Sequence, residues 1–155
     1  MQLLLLAVGR ARPGPERALF EHYQGRLGWS LTVREVEEKR PLSVAERMTR
    51  EGELLLAQVP AGSVLVVLDE RGKVVASEDF AGRMANWRDG GRSHVTFLIG
   101  GADGHSEIVR NRADFLLSFG LMTWPHMLVR GMLAEQLYRA ECILANHPYH
   151  RGRND

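Results

Sequence analysis

The sequence has little cysteine, almost no lysine and no long apolar run. Cys142 is the only cysteine, so no intrachain disulfide can form, and a reducing, cytoplasmic compartment is expected. The apolar run Leu3–Val8 is far shorter than the ~20 residues that cross a bilayer, and no basic residue precedes it. We therefore expect neither a membrane span nor a signal peptide. The sequence also contains no internal repeat and no low-complexity tract.

A large charge of one sign is lacking as well. The 20 basic and 19 acidic residues leave a net charge of +1, which excludes a disordered tail protein and a uniformly basic nucleic-acid-binding protein. A local basic patch is still compatible with this balance. Of the 155 residues, 45% are apolar, so a single domain over residues 1–155 is expected to fold without disulfides or a metal ion.

Short apolar runs alternate with longer helical patterns along the chain. The predicted strands are Leu3–Gly9, Leu31–Val36, Ser63–Leu68, His94–Gly101 and Leu121–Trp124. The predicted helices are Pro15–Leu27, Ser43–Gln58, Ser77–Arg88, Ser106–Phe119 and Pro125–Ala145. Near-continuous apolar runs are typical of strands that are buried on both faces. The alternation therefore predicts an α/β fold with a mainly parallel sheet and helices on both faces.

Three of the predicted helices have a recognisable start. Ser43 is followed three residues later by Glu46, which fits a capping box. Ser77 is followed by two acidic residues, which favour the first turn of a helix. Pro125 suits the first helical position, where its missing N–H is not needed.

Three strand ends are candidates for ligand binding, because parallel sheets bind ligands at the carboxyl ends of their strands. They are Leu68–Gly72, Ile99–Gly104 and Leu121–His126. The glycines of Gly100–Gly104 have a GGxxG spacing, which matches neither the dinucleotide fingerprint nor the phosphate-binding P-loop. The spacing is compatible with close approach of a ligand to the main chain and equally with an ordinary strand-to-helix turn.

The junction Met122–His126 also allows two interpretations. Its main-chain groups are suited to the polar edge of an adenine, with Trp124 or Met122 over the face of the base. The alternative is a strand end followed by a helix-starting proline, with a capping or solvated histidine.

The chain end His147–Arg153 combines aromatic, imidazole and basic side chains. This composition is suited to RNA, with Arg130 and Arg139 of the preceding helix adding to a cationic patch, but an exposed basic tail is the alternative. Zinc is not expected, because no third ligand accompanies His147 and His150 at a recognisable spacing.

Together these segments resemble the RlmH family, the pseudouridine N3-methyltransferases of large-subunit ribosomal RNA. That family belongs to the SPOUT class of trefoil-knotted methyltransferases. The resemblance covers nearly the whole chain. It is carried by Val8-Gly9, Leu68-Asp69 with Gly72-Lys73, Ile99–Gly104, Met122–His126, Arg130, Glu135–Ala140 and His147–Arg151.

The resemblance implies a fold with a C-terminal trefoil knot in which S-adenosylmethionine binds. It also implies a homodimer in which the tail of one subunit helps to complete the site of the other. The implied cofactor-binding residues are Leu68, Gly101, Leu121, Met122, Thr123, Trp124, Pro125 and His126. The implied substrate-binding residues are Arg139, His147, Tyr149, His150 and Arg151. The implied substrate is N3 of a pseudouridine in large-subunit ribosomal RNA, methylated on assembled ribosomes.

Methyl transfer of this kind needs alignment rather than a metal ion or a protein nucleophile, because the sulfonium of the donor is already activated. The pseudouridine N3 must lose a proton. Candidate acceptors are His126, His150 and Tyr149, and the arginines Arg139 and Arg151 are candidates to stabilise the developing negative charge. The residues alone leave two alternatives open: a flavodoxin-like oxidoreductase or other nucleotide-binding module, and a non-catalytic ribosome-binding factor.

Overall fold

The computed structural model describes residues 1–154 and the side chains of residues 1–151, so residue 155, the last of the expected domain, lies outside the described residues. Within this part of the chain, five parallel strands form a sheet in the order β2-β1-β4-β3-β5. The strands are β1 Gln2–Val8, β2 Ser30–Val36, β3 Val64–Val74, β4 His94–Ile99 and β5 Phe115–Ser118. The mainly parallel sheet that the sequence predicts is therefore confirmed.

Helices cover both faces of the sheet, as predicted. They are α1 Pro15–Arg26, α2 Val44–Leu56, α3 Ser77–Asp89, α4 Glu107–Arg112 and α5 His126–Leu144, and a 3-10 helix follows at Pro148–Asn154. Side chains of α1, α3 and α5 share one core cluster with alternate strand residues such as Leu5 and Phe97. Side chains of α2 and α4 share a second cluster with the residues in between, such as Leu6 and Leu98. The period of two along each strand produces these two layers.

The structure confirms the predicted helix starts at Ser43 and Ser77 and places the start of α5 one residue after Pro125. The Ser43 hydroxyl accepts a hydrogen bond from the Glu46 amide at 3.2 Å and lies 2.8 Å from the Glu46 carboxylate. Helix α3 begins at Ser77 with acidic residues in its first turn. Pro125 is the N-cap of α5 rather than its first helical residue, since the helix begins at His126.

The fifth strand was predicted at the wrong place. Leu121–Trp124 is not a strand, and the predicted helix Ser106–Phe119 contains only the short α4 before β5 begins at Phe115. A four-residue apolar run does not distinguish a strand from the end of a helix. The start of β5 is fixed by two hydrogen bonds between Asp114 and Leu65 of β3. The Asp114 amide donates to the Leu65 carbonyl at 2.8 Å, and the Asp114 carboxylate accepts from the Leu65 amide at 2.7 Å.

Strand β3 continues beyond its predicted end at Leu68 and reaches Val74. Both Leu68 and Lys73 pair with Leu117 of β5, so residues 69–72 bulge out of the ladder between them. Gly72 makes this bulge possible. An added Cβ there would lie 2.7 Å from backbone atoms of Leu116 and Leu117. The bulge places four residues beside the carboxyl ends of β4 and β5.

Candidate functional site

A cavity of about 340 Å³ lies at the carboxyl ends of β3, β4 and β5. Its walls come from the bulge of β3, the glycine turn after β4, the segment between β5 and α5, one residue each of α2 and α4, and two residues of α5. The lining residues are Met48, Leu68, Asp69, Glu70, Arg71, Ile99, Gly100, Gly101, Ala102, Asp103, Gly104, His105, Arg110, Leu117, Ser118, Phe119, Gly120, Met122, Thr123, Trp124, His126 and Val129.

The cavity brings together six of the eight residues that were expected to bind the cofactor. They are Leu68, Gly101, Met122, Thr123, Trp124 and His126. Leu121 and Pro125 lie in the same segment but do not line the cavity. The Leu121 side chain is 91% exposed and that of Met122 is 75% exposed, so this segment forms the open side of the cavity.

The turn Gly101–Gly104 after β4 is closed by a backbone hydrogen bond and by a glycine with positive φ. The Gly104 amide donates to the Gly101 carbonyl at 3.1 Å, and Gly104 has a φ of 81°. An added Cβ on Gly101 would meet the Glu51 carboxylate at 3.0 Å and the Val8 side chain at 3.1 Å. The absent side chain of Gly101 therefore makes room for Glu51 and Val8 as well as keeping the main chain accessible to a ligand.

Asp69, Arg110 and His105 contact one another at the inner wall of the cavity, while His105 Nε2 is buried without a hydrogen-bond partner among the described residues. The Arg110 guanidinium lies 3.7 Å from the Asp69 carboxylate and donates to the His105 carbonyl. His105 is buried, and burial lowers the pKa of its imidazole although Asp69 opposes the shift. Burial and the nearby Arg130 also lower the pKa of His126. Both imidazoles are therefore neutral at pH 7, and a neutral imidazole can accept a proton.

Arg130 is a structural residue and not part of an exposed cationic patch, which corrects the prediction made from its spacing to Arg139. Its side chain donates to the Glu35 carboxylate at 2.6 Å and to the carbonyls of Gly9 at 2.8 Å and Val8 at 3.2 Å. Burial raises the pKa of Glu35, but the hydrogen bonds from Arg130 and from the Ala11 amide outweigh it and the pKa is lowered overall. This network attaches the start of α5 to the end of β1.

The predicted RNA-binding residues gather on α5 and on the 3-10 helix that folds back against it. Arg139 donates to the Glu135 carboxylate at 2.6 Å and lies 3.2 Å from His150 Nδ1. The Tyr149 hydroxyl donates to the same carboxylate at 3.0 Å. Burial, with the neighbouring Tyr23 and Glu135, raises the pKa of Tyr149, so its phenol stays protonated at neutral pH.

The other predicted substrate-binding residues, His147, His150 and Arg151, each have their own hydrogen-bond partner. His150 Nε2 lies 2.7 Å from the Glu78 carboxylate, and His147 Nδ1 accepts from the Tyr149 amide at 3.2 Å. Arg151 donates to the Asn146 carbonyl at 2.7 Å. Among the described residues, no group of three potential metal ligands is present, and no helix is long and apolar enough to cross a membrane.

Within one chain, Arg139 lies well away from the cavity. Arg139 follows His126 by 13 residues on the same helix, and at ~1.5 Å per residue this separates them by roughly 20 Å. A single protomer therefore does not bring Arg139 to the predicted cofactor-binding residues. Sequence reasoning also missed Glu51 and Glu135; the second was accessible from its position four residues before Arg139 on a helix.

Comparison with known proteins agrees with this architecture. The crystal structure of a Probable Methyltransferase from Bordetella pertussis Tohama I superposes with a TM-score of 0.58, covering 89% of this chain and 95% of that chain at 14% identity, which shows a shared fold. The family model described as Predicted SPOUT methyltransferase matches residues 1–150.

Two curated relatives are similar over almost their whole length. The Ribosomal RNA large subunit methyltransferase H of Rhodospirillum centenum is 63% identical over 152 residues, which are 98% of this chain and 100% of the relative. The protein of the same name from Paramagnetospirillum magneticum is 59% identical over 151 residues, covering 97% and 99%. The chain therefore belongs to the SPOUT methyltransferases and, among them, to the RlmH family of ribosomal RNA large subunit methyltransferases.

Proposed function

We propose that this protein is an S-adenosylmethionine-dependent methyltransferase that methylates N3 of a pseudouridine in large-subunit ribosomal RNA. It acts as a homodimer on assembled ribosomes, in the cytoplasm. The observation that carries the proposal is the cavity at the carboxyl ends of β3, β4 and β5, which gathers six of the expected cofactor-binding residues in a chain of the SPOUT methyltransferase family.

The cavity fits such a cofactor in size and in lining. Its volume of about 340 Å³ lies within the usual range of small-molecule pockets, ~300–1,000 Å³. Leu68 and Val129 provide apolar walls, and the half-exposed Trp124 is available to cover the face of an adenine. The segment Leu121–Trp124 has no regular secondary structure, so its main chain is available to bind the edge of the base in this proposal. Pro125 has no N–H, and its carbonyl accepts hydrogen bonds from the amides of Leu128 and Val129, so it contributes by starting α5. The trefoil knot around this segment is part of the proposal as well.

A second protomer is needed to complete the site. Arg139 lies on α5 roughly 20 Å from His126, and the residues that follow the helix, His147, Tyr149, His150 and Arg151, lie at its C-terminal end and on the 3-10 helix that contacts it. The exposed Leu121 and Met122 at the open side of the cavity offer a surface for the tail of the partner protomer. In the dimer, Arg139 and Arg151 bind the RNA beside the methyl donor, and Tyr149 and the histidines contact the splayed base.

When bound, S-adenosylmethionine supplies a methyl group on an activated sulfonium. The protein aligns the pseudouridine N3 with that group and excludes water. In the transfer, the N3–CH3 bond would form as the S–CH3 bond breaks, with S-adenosylhomocysteine as the leaving group and the N3 proton passing to a base. Neutral His126 lines the cavity and is positioned to accept the proton, whereas Tyr149 stays protonated and is suited to donating a hydrogen bond. Arg139 stabilises the negative charge that develops on the base.

The test uses ribosomes from a strain from which the corresponding gene has been deleted. The protein is incubated with these ribosomes and methyl-labelled S-adenosylmethionine, and the ribosomal RNA is digested for nucleoside mass spectrometry. We expect one labelled nucleoside, an N3-methylated pseudouridine, from the large subunit. Cofactor binding without label transfer would identify a non-catalytic ribosome-binding factor instead. Sedimentation is expected to show a dimer, and an active monomer would contradict the shared site.

A further inference from the structure

Glu51 places a buried carboxylate directly behind the wall of the cavity. It lies in the middle of α2, and only 8% of its surface is exposed. An added Cβ on Gly101 would lie 3.0 Å from one Glu51 carboxylate oxygen and 3.5 Å from the other. Met48, one helical turn earlier and on the same face of α2, lines the cavity itself. The carboxylate therefore lies next to Gly101, a residue that lines the cavity, although Glu51 itself is not a lining residue.

The Glu51 carboxylate has no partner in the part of the chain that the structure describes: it makes neither a hydrogen bond nor an ion pair there. Arg47, one helical turn earlier, donates instead to the carbonyls of Glu38 at 2.7 Å and Arg40 at 2.9 Å, and the adjacent Arg50 pairs with Glu38 and Glu53. Burial raises the pKa of Glu51, Arg47 opposes this effect from a distance, and the nearby Asp103 adds to it. The Glu51 oxygens are not among the fully enclosed side-chain atoms that lack a partner, so they are not sealed off from solvent. A donor that enters the space beside Gly101 therefore meets an acceptor that no protein group occupies.

We infer that Glu51 accepts hydrogen bonds from the 2′- and 3′-hydroxyls of the ribose of the bound methyl donor. This inference rests on the proposed function. A carboxylate has two oxygens and only acceptor capacity, which matches two neighbouring hydroxyl donors. The charged amino-acid end of the donor is strongly hydrated and costly to bury, so it belongs in the part of the cavity that water reaches. The neutral ribose hydroxyls belong at the buried wall, where Glu51 is.

The experiment is calorimetric titration of the wild-type protein and of Glu51→Ala, Glu51→Gln and Glu53→Gln. Glu53 is the matched control, because it lies on the same helix with an exposed side chain paired to Arg50. The ligands are S-adenosylhomocysteine, its 2′-deoxy analogue and 5′-methylthioadenosine, which keeps the ribose and lacks the amino-acid end.

We expect Glu51→Ala to weaken binding of S-adenosylhomocysteine and of 5′-methylthioadenosine by the same factor, about tenfold or more. The 2′-deoxy analogue is expected to bind the wild-type protein more weakly than S-adenosylhomocysteine and to bind Glu51→Ala as well as S-adenosylhomocysteine does. This loss of discrimination would not result from a purely structural role. Glu53→Gln is expected to bind all three ligands as the wild type does.

Folding is controlled with Glu51→Gln, which keeps the shape of the side chain. Because the carboxylate has no partner without ligand, we expect the ligand-free melting temperature of this variant to equal or exceed that of the wild type. A lower melting temperature would show that Glu51 is structural and would overturn the inference. Weaker binding of S-adenosylhomocysteine alone, with 5′-methylthioadenosine unchanged, would also overturn it by assigning Glu51 to the ammonium group. If the wild type binds none of the ligands, the proposed function itself fails.

Discussion

Replacing Arg130 by alanine tests whether the network at the end of β1 holds helix α5 in place. The Arg130 side chain is 5% exposed and donates to one carboxylate and two carbonyls. Removing one partner of a buried ion pair costs ~3–5 kcal/mol. The Glu35 side chain is 31% exposed, so water can solvate its carboxylate once Arg130 is removed. We therefore expect the lower end of this range, about 3 kcal/mol.

The assay is thermal and urea unfolding at a fixed protein concentration. For a protein of this length, a loss of about 3 kcal/mol corresponds to a fall in melting temperature of roughly 6–12 °C. The matched control is Arg17→Ala, which breaks an exposed pair with Glu21 on α1 and is expected to cost less than ~1 kcal/mol. Equal losses for Arg130→Ala and Arg17→Ala would refute the reasoning, because burial would then have no effect on the cost.

The same pair predicts a dependence on pH. The pKa of Glu35 is lowered from its ordinary value of 4.5 in the folded protein, so the unfolded chain takes up the proton first as pH falls. The stabilisation is therefore complete above about pH 4.5 and is lost as the pH falls through the folded pKa. We expect Glu35→Gln to be less sensitive than the wild type to acid in this window. An unchanged acid unfolding profile would contradict the assignment of the shift to Arg130.

Two further predictions concern the cavity and the tail. Gly72→Ala is expected to lower the free energy of unfolding by ~1–3 kcal/mol and to weaken S-adenosylhomocysteine binding, since its Cβ would displace the backbone of Leu116 and the bulge that lines the cavity. Gly82→Ala in α3, with open space around it, is the control and is expected to be neutral or stabilising. Tyr149→Ala and Arg151→Ala are expected to keep the affinity for S-adenosylhomocysteine and to reduce methyl transfer to ribosomes about tenfold or more, and full activity of both would remove the tail from the RNA site.

The outcome for the strands shows which signals in the sequence are sufficient. The strands β1, β2 and β4 agree with prediction to within two residues, because each is a run of six or seven residues, longer than a helical turn, and is bounded by turn residues. β5 has four residues, and its position depends on the two hydrogen bonds between Asp114 and Leu65, 49 residues apart in the chain. No local pattern contains that contact.

The candidate site divides in the same way. Glycines and the segment before α5 are local features, so Gly101 and Met122–His126 were accessible from the sequence. In the sequence, Glu51 is indistinguishable from any acidic residue of a helix. Only the tertiary structure shows that its carboxylate lies close to Gly101, beside the cavity. Arg130 was expected at the surface because helical spacing does not report what lies opposite a helix.

The sequence by itself determined the alternation of strands and helices, the parallel sheet and the family, since these depend on hydrophobic period, turn residues and motifs along the chain. Only the tertiary structure decided which charges are buried, that β3 bulges to form a wall, and that the 3-10 helix folds back against α5. The physical reason is the separation along the chain of the residues that interact. Secondary structure follows from neighbours a few residues apart, whereas burial and pairing of polar groups depend on contacts such as the one between Arg130 and Glu35, 95 residues apart.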